Sequence, residues 1–143
     1  EIEHDDVEFV SEGIKIFIKR SKTDQSGEGM VKAIPYFENK NFCPVTNLKK
    51  WIDYSNLKSG KIFNISDKSV ALIIKKYASL SGLDPNKYGG HSLRSGFATS
   101  TAESGAEERN IMAMTGHKTT QMVRRYIQEA NLFKNNALNK IKI

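Results

Sequence analysis

The chain has 143 residues, 38% hydrophobic and 27% charged, with a formal net charge of +6. That is one domain's length, enough to bury a core; the one cysteine, Cys43, excludes an intrachain disulfide and suits a reducing, cytoplasmic setting. No apolar run approaches the roughly 18 residues of a membrane span, the opening residues carry no secretory pattern, and the basic excess suits either a polyanionic partner or an ordinary soluble surface with extra lysines.

Val7 and Phe9 alternate with polar neighbours, Ser11-Glu12-Gly13 reads as a turn, and Ile14, Ile16 and Ile18 alternate with Lys15, Phe17 and Lys19. This period of two predicts a hairpin with one apolar face. Residues 20–29 include Gly27 and Gly29 and read as a flexible loop. Met30 to Pro35 returns as a third strand, with either Val31 and Ala33 or Met30 and Ile34 facing inward. A small antiparallel sheet is expected over about residues 5–35.

The period then changes. Cys43 reads as a small buried residue, and Pro44 suits a first helical position. Val45, Leu48, Trp51 and Ile52 mark one helical face, and residues 55–65 form a connection, with a short extended piece at Ile62-Phe63. Ser66 or Asp67 caps the next helix, whose apolar stripe is Val70, Ile73, Ile74, Tyr77 and Leu80, closed by Gly82. After a turn at Asp84-Pro85-Asn86, Gly89-Gly90 opens a helix with Leu93, Phe97 and Thr101 as its buried line. Helices follow over Glu107–Thr115, from Lys118 to about Ala130, and from about Leu132 to Lys140. Sheet then helices predicts an α+β fold: a three-stranded antiparallel sheet followed by a mainly helical bundle.

The chemistry concentrates between Gly89 and Gln128. His91 and Arg94 are three apart, so on a helix they share a face. His117 follows Gly116, and Tyr126 comes nine residues later, after Arg124 and Arg125. A tyrosine hydroxyl is a covalent nucleophile in some enzymes, arginine presents a rigid donor fork to phosphate, and histidine moves protons near neutrality. Together these groups suit attack on a phosphodiester. Singly, each has an ordinary structural explanation: Arg94 in a surface ion pair, His91 at a helix start, His117 in a turn, Tyr126 half-buried and Lys22 solvated. Arg124 or Arg125 could lie near the hydroxyl or form a solvated basic face. Of the other tyrosines, Tyr77 fits a core stripe and Tyr36 and Tyr54 lie near element ends.

At these residues the sequence resembles the catalytic domain of the tyrosine recombinases, the phage-integrase family. His91-Ser92-Leu93-Arg94 followed by Gly96-Phe97-Ala98-Thr99 is similar to that family's His-x-x-Arg box. Gly116-His117 resembles its Gly-His element, Tyr126 stands at the nucleophile's spacing, and Ser21-Lys22-Thr23 resembles its β-hairpin lysine. The resemblance implies a metal-free and cofactor-free reaction. Tyr126 attacks a DNA phosphate to give a 3′-phosphotyrosyl link, Arg94 and His117 hold the phosphate, His91 assists proton movement, and Lys22 protonates the departing 5′ oxygen. It implies double-stranded DNA and other recombinase protomers, as a tetramer on DNA, as partners. The tail from Asn131 to Ile143, with Leu132, Phe133, Leu138 and Ile141, would pack on a neighbouring subunit as such tails do in the family, or fold back on its own domain.

The family also has an earlier arginine, in an Arg-x-x-Glu-Leu helix before the hairpin, and Arg20 lies too late to fill that position. The expectation is a catalytic domain over 1–143 truncated at its N-terminus and nearly inert alone. Rival readings are a catalytically silent DNA-binding remnant and strand cleavage like that of a type IB topoisomerase. A metal-dependent nuclease would need converging carboxylates, and Asp5-Asp6, expected in a strand, and Asp24 lack a partnering glutamate motif.

Overall fold

The computed structural model describes residues 1–19, 29–117, 119–132 and 134. The expected hairpin loop with Lys22 and the helix expected after Leu132 lie outside these residues. The chain divides into two compact units, Glu1–Asn64 and Ile65–Ile143.

The first unit holds the sheet that the alternation predicts. Strands β1 (Val7–Val10), β2 (Gly13–Ile18) and β3 (Met30–Pro35) pair antiparallel in that order. Phe9 sits opposite Ile14, and Ile14 opposite Ile34. This register fixes the face left open for β3: Ile34 packs with Val7, Ile16 and Leu48 against buried Ile14, Cys43 and Val45, while Val31 is exposed. At Gly13 a β-carbon would collide with the Ile34 carbonyl oxygen, so the close approach of β3 to the start of β2 needs glycine. Asp5 and Asp6, expected in a strand, instead belong to a 3-10 turn, His4–Asp6. Asp6 accepts from the Glu3 amide at 3.0 Å and pairs with Lys19 at 2.8 Å; these bonds favour the turn over a strand.

Helix α1 (Pro44–Ser55) begins with proline at its first position, as expected. Cys43 caps it, its Sγ accepting from the amides of Phe37 (3.3 Å) and Thr46 (3.5 Å). Trp51 is more exposed than the sequence pattern suggests. Its indole N–H donates to the Ile62 carbonyl at 3.0 Å and its ring stacks on Phe63, 6.0 Å between centroids. The extended piece expected at Ile62 is a single bridge one residue earlier, Glu3 with Lys61.

The second unit is helical: α2 (Asp67–Leu80), α3 (Gly90–Glu103), α4 (Glu108–Thr115) and α5 (Thr120–Asn131). Ser66 caps α2 by accepting from the Ser69 amide at 3.1 Å. Here the burial differs from expectation. Val70, Ile73, Tyr77 and Leu80 are exposed, and Ala78 is the buried residue of α2. On α3, Leu93 is 62% and Phe97 41% exposed, and the buried residues are Ala98 and Ala102. These alanines join Ile111 of α4 and Val123 of α5 in a cluster edged by Met112, Tyr126, Ile127 and Ala130. Small residues let α5 approach α3 closely, so the larger side chains of α3 lie on the other side.

Candidate active site

Helix α3 sets out the first half of the site. Its start is tied down by the Gly89 amide, which donates to Ser92 Oγ at 3.0 Å, and by that hydroxyl, which donates to the Lys87 carbonyl at 3.3 Å. At about 100° per residue, His91, Arg94, Ser95 and Ala98 fall within one face of the helix. Ala98 is fully buried in the cluster shared with α5, and Ser95 meets α5 at the Tyr126 hydroxyl, so the later part of this face is turned to α5. His91 and Arg94 are themselves exposed and line a concavity of about 580 Å³ with Asp67, Val70, Ala71 and Gly90. The lining includes a carboxylate, Asp67, from the first turn of α2.

Helices α4 and α5 bring the second half. Gly116 ends α4 with φ +70°, its amide donating to the Met112 carbonyl at 2.8 Å. Glycine takes this left-handed conformation without a β-carbon penalty. The turn places the His117 ring 6.1 Å from the Tyr126 ring, between centroids, at 42°. His117 Nδ1 lies 2.6 Å from Oγ1 of buried Thr115. Tyr126 follows Val123 by three residues and packs its ring at the edge of the α3–α4–α5 cluster, and its hydroxyl is 3.1 Å from Ser95 Oγ. Ser95 is thus the point where the tyrosine reaches the face of α3 that carries His91 and Arg94.

The structure therefore joins His117 to Tyr126 directly and places His91 and Arg94 together, with Ser95 between the two pairs. Tyr126 and His117 are not among the residues lining the His91–Arg94 concavity. Arg124 is held by Glu108 at 3.2 Å and Arg125 by Glu129 at 3.1 Å, so both guanidinium groups pair with carboxylates. Tyr77, expected in a core stripe, is exposed. Ser95 and Thr115 were not singled out by sequence reasoning, yet both had a spacing signal: Ser95 lies one turn beyond His91, and Thr115 directly precedes the Gly116-His117 turn. Among the described residues, no three His, Cys, Asp or Glu side chains form a group able to hold a metal, and no helix is long and apolar enough to cross a membrane.

Residues 1–132 match the phage integrase family. The chain belongs to that family. It is 45% identical over 152 aligned residues to an integrase/recombinase xerD homolog of Selenomonas ruminantium, a match covering 98% of this chain and 45% of that protein. It is 36% identical over 73 residues to tyrosine recombinase XerC of Syntrophus aciditrophicus, covering 51% of this chain and 22% of the relative. A shorter match, 38% over 53 residues, is to tyrosine recombinase XerD of Xanthomonas campestris pv. campestris. The chain thus spans less than half the length of these curated relatives. No solved structure matches it significantly.

Proposed function

We propose that this chain carries the strand-cleaving chemistry of a site-specific DNA recombinase, with Tyr126 as the nucleophile. The observation that supports this best is the placement of Tyr126 beside His117, with its hydroxyl on the face of α3 that presents His91 and Arg94. In the reaction, Tyr126 Oη attacks the scissile phosphorus of duplex DNA while the bond to the 5′ oxygen breaks. His91 takes up the phenolic proton. Arg94 and His117 hydrogen-bond the non-bridging oxygens as charge builds on the phosphoryl group, the kind of preorganised stabilisation that usually dominates catalysis. Lys22, outside the described residues, gives a proton to the departing 5′ oxygen. A 5′ hydroxyl from a partner strand then attacks the phosphotyrosine and reseals the backbone. The covalent link conserves the energy of the broken bond, so no cofactor is consumed. Strand exchange requires further protomers on the DNA, and the reaction belongs to the cytoplasm. The matched region functions as the catalytic domain.

The test is a trapping assay on nicked duplexes of pooled sequence, in EDTA, using these 143 residues joined behind the N-terminal part of the Selenomonas ruminantium relative. The expected result is a DNA–protein adduct that disappears in Tyr126→Phe. DNA binding without any adduct would support the silent DNA-binding reading instead.

A further inference from the structure

Thr115 Oγ1 lies 2.7 Å from the Ile111 carbonyl oxygen and 2.6 Å from His117 Nδ1. A hydroxyl has one hydrogen to donate and lone pairs to accept with, whereas a carbonyl oxygen only accepts. The Thr115 hydrogen is therefore committed to Ile111, one turn back along α4. The second short contact must take its hydrogen from the ring, so His117 Nδ1 is the protonated nitrogen. Thr115 is buried, at 8% exposure, which makes an unmatched contact there costly. The neutral ring then carries its free lone pair on Nε2, at the opposite edge.

We propose that Thr115 is a positioning residue: it fixes the tautomer and orientation of His117, so that Nε2 is the nitrogen offered to the reacting phosphate. What Nε2 meets rests on the recombinase reading above; the tautomer rests on the Thr115 geometry alone. A hydrogen bond from Nε2 to a phosphate oxygen needs the second ring proton, so His117 engages the phosphate as the imidazolium. Thr115 supports that charge by accepting from Nδ1.

The direct test is long-range ¹H–¹⁵N correlation on the labelled 143-residue chain, with the imidazoles neutral. His117 should show protonated Nδ1 and bare Nε2. Thr115→Val should move the pattern towards Nε2–H, and Thr115→Ser should keep the original one. In the adduct assay Thr115→Val should react about tenfold more slowly, the effect of one lost hydrogen bond, with Thr115→Ser restoring the rate. A wild-type ring protonated on Nε2 would overturn the proposal, even where Thr115→Val fails to fold. So would a His117 pattern that is unchanged in a folded Thr115→Val. The expected spectra with no adduct from any form would uphold the tautomer assignment and count against the recombinase reading.

Discussion

The Tyr126 hydroxyl and Ser95 Oγ lie 3.1 Å apart and tie α5 to α3 at the edge of the buried Ala98–Val123 cluster. The pair is worth about 1 kcal/mol if it behaves as an ordinary hydrogen bond. Ser95→Ala and Tyr126→Phe should each lower stability by about that amount in urea unfolding, and the double variant should cost little more than either, because one bond is lost in all three. Additive losses would mean that the two hydroxyls do not bond.

Ala98 is fully buried and Leu93 is 62% exposed. Ala98→Leu should therefore cost about 1–3 kcal/mol by overpacking the α3–α5 contact, whereas Leu93→Ala should stay within about 1 kcal/mol. Thermal unfolding of the two variants separates the cases. The opposite order would restore the larger side chains of α3 as its packing face.

Asp6 is lowered from its ordinary value of 3.8 by its bond from the Lys19 ammonium, then by the Glu3 amide. A carboxylate depressed in the folded state contributes stability that is fully present above the unfolded value and is lost as pH falls through the lower folded value. Acid unfolding should steepen below about pH 3.8 for this reason, and Asp6→Asn should flatten that limb. An unchanged acid limb would show that the ion pair contributes nothing to the pH dependence.

Burial raises the Cys43 thiol, but hydrogen bonds from Thr46, Phe37 and Val45 more than offset it, leaving it lowered to about 7. Reactivity also needs access, and Cys43 is fully buried. Iodoacetamide should label the native chain slowly at pH 8 and the urea-unfolded chain quickly. Equal rates would show that the sheet–α1 core opens readily.

Much of the fold was legible because it rests on period and punctuation. Alternation over Val7–Ile18 gave the sheet, and Pro44 and Ser66 marked helix starts through backbone chemistry that is local. Burial was less legible. A hydrophobic stripe ranks residues by size, so it favoured Leu93 and Phe97, while Ala98 and Ala102 were buried because close helix packing needs small side chains. In the candidate site, His91, Arg94, His117 and Tyr126 stood out by residue type and spacing. Ser95 and Thr115 did not, since a hydroxyl gains meaning only from the partner that tertiary packing brings to it.

The measurement that bears most directly on the central claim is the site of covalent attachment. After trapping on nicked duplex in EDTA with the extended chain, the adduct is digested and the DNA-linked peptide is sequenced by mass spectrometry. The predicted result is a nucleotide on Tyr126, absent from Tyr126→Phe and formed on the order of 10²–10³ more slowly in Arg94→Ala, the loss of one charged donor from the phosphate. An adduct that persists in Tyr126→Phe, or attachment at another tyrosine such as Tyr77, would contradict the assignment.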